Sequence, residues 1–130
     1  MELIFGTHNS NKAEEIIKLL PLEYNVKTLS DLKYESEIEE YGITIEENAL
    51  IKARTIFSKF KKNCFAEDSG LEVFALGGKP GVYSARYAGK EKNTDNNNKK
   101  IIHELKGVEN RQAQFRSVIA LILNGSEYLF

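Results

Sequence analysis

Two adjacent carboxylates directly follow a short apolar segment near the middle of the chain. Glu67 and Asp68 come after Cys64-Phe65-Ala66, and Ser69-Gly70 follows at once. Like charges at the end of a strand repel each other, which makes folding less favourable unless a positive group lies at this position. Mg²⁺ is a suitable group, because it prefers oxygen ligands and is usually held by one or two carboxylates together with substrate phosphates. A solvated acidic turn is the alternative interpretation of these four residues taken alone.

The order of apolar segments indicates the fold class. Short apolar runs predict strands, and apolar residues at helical spacing predict amphipathic helices. Thr44 and Glu47 form a capping-box pattern at the start of the second helix, and Asn124-Gly125 is a strong hairpin signal. The predicted elements in order are strand 3–5, helix 10–20, strand 24–29, helix 44–60, strand 64–66, a helix after Asn93, strand 113–123 and a return strand 127–130. This order predicts an α/β fold, a mixed twisted sheet with flanking helices.

Composition and charge exclude several classes of protein. The chain has 130 residues, 42% of them hydrophobic and 28% charged, which fits one soluble domain. A net charge of −1 argues against general nucleic-acid binding. No apolar run approaches the roughly 20 residues that span a bilayer, and the acidic N-terminus does not resemble a signal peptide, so we expect no membrane partner and a cytoplasmic location. The single cysteine, Cys64, lies in an apolar segment, which favours a buried thiol over a nucleophile.

The residues between the first strand and the first helix form a candidate anion site. In the pattern Thr7-x-Asn9-x-x-Lys12, a hydroxyl, an amide and an ammonium accompany the backbone N–H groups of a helix N-terminus. The Walker pattern is absent, which argues against a P-loop NTPase. A plain helix cap with a surface lysine is the alternative.

A second group of polar residues surrounds the start of the second helix. Glu39 and Glu40 precede the helix, while Glu47, Asn48 and Lys52 lie on it. Asn48 and Lys52 are four residues apart and therefore share a helix face. A solvated, well-capped helix is the alternative. Taken with Glu67-Asp68, these residues supply what phosphoryl chemistry needs: lysines and a metal to neutralise phosphate oxygens, and a carboxylate to accept a proton from water.

These segments resemble the inosine triphosphate pyrophosphatase family. The resemblance covers essentially the whole chain, in the family's order and spacing. The matching motifs are residues 7–12, 40–49, 52–54, 67–71, 80–89 and 111–115, the fifth of which reads Pro80-Gly81-Val82-Tyr83-Ser84-Ala85-Arg86-Tyr87-Ala88-Gly89. The resemblance implies an elongated fold of two lobes around a central cleft, and a homodimer. It also implies Mg²⁺-dependent hydrolysis of ITP, dITP or XTP to the monophosphate and pyrophosphate.

The resemblance also implies roles for individual residues. Asp68 matches the family's proton acceptor and a Mg²⁺ ligand, Glu40 is a second ligand, and Glu67 is a supporting acid. Lys52 neutralises phosphate. The remaining residues implied to bind the triphosphate substrate are Thr7, His8, Asn9, Ser10, Asn11, Lys12 and Ser69.

The chain departs from the family pattern in two places. Many bacterial members have Asp-Asp where this chain has Glu67-Asp68, a change that keeps the charge. The sequences of family members also extend further, through Phe-Gly-Tyr-Asp and Ser-His-Arg motifs that bind the purine, and these motifs are absent here. We therefore expect residues 1–130 to be a single domain that lacks its C-terminal third. Two alternatives stay open: a non-catalytic or weakly active nucleotide-binding fragment, and a Maf-like nucleotide pyrophosphatase.

Overall fold

The structure is a computed structural model that describes all 130 residues. The strands and helices along the chain are β1 (Glu2–Phe5), α1 (Ser10–Leu19), β2 (Asn25–Thr28), α2 (Ile45–Phe60), β3 (Cys64–Val73), α3 (Thr94–Glu104), β4 (Ala113–Leu123) and β5 (Ser126–Leu129). The five strands form one sheet in the order β2-β1-β3-β4-β5. Two short 3₁₀ turns, Phe74–Leu76 and Gly81–Arg86, separate β3 from α3. The prediction of an α/β fold with a mixed sheet is confirmed.

The chain divides into two compact units. The first comprises residues 1–42, 46–68 and 118–130, and the second comprises residues 43–45 and 69–117. The first unit contains β1, α1, β2, most of α2 and the first half of β3. All of the charged pairs described below in the candidate site belong to this first unit.

A stacked aromatic pair marks the core of the first unit. The rings of Phe5 and Phe65 lie 4.5 Å apart between centroids and are nearly parallel. Leu3 and Ala13 complete the buried cluster, and partly buried side chains from α1, β2 and β4 pack against it. Because β1 contributes two of the four buried residues, this packing fixes the position of the strand from which the β1–α1 junction leaves.

The third strand is longer than the sequence predicts. We expected it to end at Ala66, but β3 continues through Val73 and carries Glu67 and Asp68 inside it. Adjacent acids end a strand only where nothing offsets their mutual repulsion. In the structure two lysines, distant in sequence, neutralise them.

Register explains why these acids lie beside the β1–α1 junction. β3 runs parallel to β1, with Phe65 paired to Phe5, the last residue of β1. The N–H of Gly6 donates to the carbonyl of Phe65 over 2.8 Å. Glu67 and Asp68 therefore extend beyond the carboxyl end of β1, which is the edge where α/β sheets bind ligands.

Candidate functional site

Lys12 and Glu67 connect the first turn of α1 to β3. The Lys12 ammonium contacts the Glu67 carboxylate directly. The lysine side chain is 35% exposed and the glutamate side chain is 10% exposed, so the carboxylate is the less solvated partner. A mostly buried carboxylate needs a paired cation, and Lys12 supplies that charge.

Lys52 brings two further carboxylates together. Its ammonium lies 2.6 Å from Glu40 Oε1 and 3.1 Å from Asp68 Oδ1. It also donates to the backbone carbonyl of Glu67 over 3.1 Å. The carboxylate–lysine cluster, defined here as Lys12, Glu40, Lys52, Glu67 and Asp68, thus joins four chain segments at one edge of the sheet.

The charges in this cluster shift the pKa of two of its members. Burial by itself lowers the pKa of Lys52, but the hydrogen bond and negative charge of Glu40, with those of Asp68, outweigh it and raise the pKa overall. Burial raises the pKa of Asp68, and the charges of Glu40 and Glu67 add to that rise, while Lys52 opposes it. Lys52 therefore stays an ammonium, and Asp68 is a stronger proton acceptor than an ordinary aspartate.

The oxygen atoms of the cluster fit a hard divalent cation. Asp68 Oδ2 is buried and has no hydrogen-bond partner, so one carboxylate oxygen remains available for a ligand. Carboxylate oxygens are the donors that Mg²⁺ prefers. The acids are not gathered around a common point as a preformed metal cage. Their contacts in this structure are with lysine ammoniums, so a cation would compete with these ammoniums for the carboxylates.

The junction between β1 and α1 is ordered by its own polar side chains. Thr7 Oγ1 accepts the N–H of Asn9, and Asn9 Oδ1 accepts the N–H of Lys12 over 3.1 Å, which makes Asn9 the N-cap of α1. Ser10 and Asn11 follow in the first turn and are exposed. These residues therefore do cap the helix, while the binding of a phosphate by them remains a prediction.

His8 contacts the segment that follows β2. Its Nε2 lies 2.8 Å from the carbonyl of Ser36, and its ring stacks on Tyr34 with 6.3 Å between centroids. His8 and Tyr34 line an open groove of about 490 Å³ at the carboxyl ends of β1 and β2. The contacts of His8 thus connect the junction to the irregular segment that carries Glu40.

Three other residues complete the comparison with the sequence predictions. Ser69 follows Asp68 in β3 and is partly buried, but it makes no contact that assigns it a role. Cys64 is fully buried, which confirms the expected buried thiol, and burial raises its pKa to about 11, so it stays protonated at neutral pH. Asn48 is completely buried, so the alternative of a solvated helix face does not hold at this residue. Its neighbour Ala49 was a signal that this face of α2 packs inward.

The protein is thus of the α/β class, with acidic and lysine side chains at the carboxyl ends of its parallel strands, the edge at which open α/β sheets bind ligands. Comparison with known proteins specifies the family. The Ham1 family model matches residues 3–130, so the chain belongs to the Ham1 family.

Individual relatives support this assignment. A protein of Christiangramia forsetii named dITP/XTP pyrophosphatase is 50% identical over 130 residues, a match that covers all of this chain and 68% of the relative. A protein of the same name from Bacillus licheniformis is 52% identical and is covered over 66% of its length. The Ham1 protein structure of Staphylococcus aureus matches with a TM-score of 0.91 and 37% identity, covering all of this chain and 68% of that one.

These matches confirm two of the expectations from sequence. The family resemblance is confirmed, and it places the chain among enzymes named as nucleoside-triphosphate pyrophosphatases.

None of the helices combines the length and apolar character needed to cross a membrane.

Proposed function

We propose that this chain hydrolyses the purine nucleoside triphosphates ITP, dITP and XTP in the presence of Mg²⁺, releasing the nucleoside monophosphate and pyrophosphate. The observation that carries the proposal is the Asp68 carboxylate, which binds Lys52 through Oδ1 and leaves the buried Oδ2 without a partner. The names of the relatives, dITP/XTP pyrophosphatase, support the substrate class.

Each polar residue of the candidate site has a proposed role in binding the substrate or in the reaction. The N-terminus of α1, with Thr7, Asn9 and Lys12, binds the triphosphate, since backbone N–H groups and an ammonium attract an anion there. His8, Ser10, Asn11 and Ser69 are assigned to the same substrate contact through the family resemblance. Lys52 neutralises phosphate oxygens. Asp68 accepts a proton from a water molecule while the oxygen of that water attacks the α-phosphorus. The bond between the α-phosphorus and the oxygen that it shares with the β-phosphorus breaks, so pyrophosphate leaves.

Glu40, Glu67 and Asp68 would hold the Mg²⁺ ion, with Glu67 in a supporting position. When bound, the ion supplies positive charge that offsets the negative charge of the triphosphate. Asp68 with a second carboxylate would match the one or two carboxylates that usually hold Mg²⁺ in proteins. Water and substrate phosphates supply the remaining oxygen ligands in sites of this kind.

The decisive variant is Asp68→Asn, because an amide neither accepts the proton nor ligates the ion well. Loss of a positioned base lowers rates by roughly 10²–10⁴-fold, and we expect a fall of that size in turnover of dITP and XTP. Glu39→Gln is the matched control, since Glu39 is exposed and lies next to Glu40. The measurement is release of monophosphate and pyrophosphate with and without Mg²⁺. Asp68→Asn turnover equal to that of the unaltered chain, or release of a diphosphate with orthophosphate, would contradict the proposal.

The family resemblance also leads us to propose a homodimer located in the cytoplasm. Sedimentation equilibrium of the purified chain distinguishes a dimer from a monomer. A monomer at concentrations well above those used for the activity assay would exclude the dimer without affecting the proposed chemistry.

A further inference from the structure

Asn48 is a fully buried amide that binds the backbone next to the candidate site. Its side chain has no exposed surface, and its Oδ1 accepts the N–H of Gly42 over 2.8 Å. Because a backbone N–H can only donate, the oxygen of the amide must face Gly42. The other atom of the amide, Nδ2, is buried and has no hydrogen-bond partner.

Gly42 lies two residues after Glu40, in a segment that has no regular secondary structure. Residues 34–42 belong to neither a helix nor a strand, so no ladder of backbone hydrogen bonds fixes their path. Glu40 is nevertheless held 2.6 Å from Lys52. Asn48 and Lys52 lie four residues apart on α2 and so share a face of that helix. One face of α2 therefore holds this segment at two points, the Gly42 backbone and the Glu40 carboxylate.

The contact between Gly42 and Asn48 allows almost no displacement. A Cβ atom added to Gly42 would lie 2.6 Å from Asn48 Oδ1 and 2.7 Å from Glu47 Cβ, closer than real Cβ contacts come. The close approach thus depends on the absence of a side chain at residue 42, and the hydrogen bond sets how near the segment lies to α2.

Packing alone does not account for an asparagine at this position. A buried donor without a partner destabilises a protein, and an apolar side chain would avoid that loss. What Asn48 supplies, and an apolar residue cannot, is the acceptor for the Gly42 N–H.

We propose that Asn48 is a positioning residue, which holds Glu40 at the cluster through the Gly42 N–H and thereby sets the affinity of the site for its divalent cation. This inference rests on the proposed function, in which Glu40 is a ligand of that cation. Residues that orient a metal ligand change metal affinity or activity by about 10–100-fold when they are replaced.

The test compares two buried asparagines. Asn97 is also buried and also holds loop backbone, accepting the N–H of Ala88 and donating to the carbonyl of Ala85. Both Asn48→Ala and Asn97→Ala should lower the melting temperature. We expect only Asn48→Ala to weaken binding of Mn²⁺, a spectroscopic probe with a similar preference for oxygen ligands, by about 10–100-fold. Free Mn²⁺ is measured by electron paramagnetic resonance without nucleotide.

A second variant covers the case in which Asn48→Ala does not fold. Gly42→Ala leaves the amide in place but pushes the segment away from Oδ1, and we expect the same loss of Mn²⁺ affinity. Unchanged Mn²⁺ affinity in a folded Asn48→Ala or Gly42→Ala, or an equal loss in Asn97→Ala, would overturn the inference. If the unaltered chain neither binds Mn²⁺ nor cleaves dITP, the proposed function fails as well, which separates the two results.

Discussion

Lys12 and Lys52 each bind a carboxylate that is far away in the sequence. Lys12 is 55 residues from Glu67, and Lys52 is 16 residues from Asp68. In this structure the two ammoniums lie next to the acids. A divalent cation bound to the same acids would need these positions. A lysine that neutralises a carboxylate before the metal arrives competes with the metal, because both lower the same electrostatic repulsion.

A charge-removing variant of Lys52 tests this competition. We expect Lys52→Met to bind Mn²⁺ alone more tightly than the unaltered chain, since an ammonium no longer occupies Glu40 and Asp68. The same variant should bind triphosphates far more weakly and leave binding of the uncharged nucleoside unaffected. Lys59→Met is the matched control, because Lys59 lies on the same helix and is exposed. Calorimetric titrations with Mn²⁺, with an α,β-methylene triphosphate and with inosine measure the three affinities.

If Lys52→Met lost equal affinity for the triphosphate and for the nucleoside, Lys52 would act through the fold rather than through its charge. A lower Mn²⁺ affinity in Lys52→Met would contradict the competition. The same three affinities measured in Lys12→Ala give an independent comparison, because Lys12 pairs with Glu67, a carboxylate that Lys52 does not pair with.

Single residues also show where sequence reasoning fails. The charges of Glu40, Lys52, Glu67 and Asp68 could be identified from motifs, but their partners could not, because ion pairing across the fold has no local signal. Asn48 illustrates the same limit. Helical spacing correctly placed it on the face of Lys52 but could not tell that this face is covered at residue 48 and partly open at residue 52.

Helix α1 and helix α3 begin in the same way. Asn9 Oδ1 accepts the N–H of Lys12, and Asn93 Oδ1 accepts the N–H of Asn96 over 3.0 Å. Both caps follow from sequence, because asparagine ahead of an amphipathic segment is a strong N-cap signal. Only the cap of α1 lies at the proposed triphosphate site.

This pair of caps separates a structural role from a binding role. Replacing an N-cap asparagine by alanine lowers stability by about 0.5–2 kcal/mol, so Asn9→Ala and Asn93→Ala should lower the free energy of unfolding similarly. We expect only Asn9→Ala to weaken binding of the triphosphate analogue. Urea denaturation measures the first quantity, and calorimetry measures the second. Equal analogue affinities in the two variants would leave Asn9 with a purely structural role.

The strands were predictable to different degrees. The run 113–123 and the Asn124-Gly125 turn were identified correctly, since both turn residues have positive φ angles, 51° and 82°, as a tight hairpin requires. β3 was predicted too short, because its second half is polar and its pairing depends on neighbouring strands. Strand propensity depends on such context more than helix propensity does.

At the scale of the whole molecule, the candidate site is assembled from four separate segments. The first turn of α1, the segment before α2 and α2 itself each contribute one charged side chain, and β3 contributes two. Ion pairs between lysines and acids join these segments. If the carboxylates held a cation, Lys12 and Lys52 would lose these partners and could then bind phosphate. Metal and triphosphate binding should therefore favour each other, and by linkage the effect must be the same in both directions.

A four-state binding cycle measures this coupling. The dissociation constant of the α,β-methylene triphosphate is determined with and without Mn²⁺, and that of Mn²⁺ with and without the analogue. We expect each ligand to tighten the other by a factor in the usual range of about 5–150-fold. Metal and triphosphate also associate with each other in solution, and this association does not depend on the protein. The cycle is therefore repeated with the Lys12→Met/Lys52→Met variant. The coupling that remains in this variant belongs to the solution complex, and the excess in the unaltered chain belongs to the lysines. Equal coupling in both proteins would show that the ammoniums do not exchange partners when the metal binds.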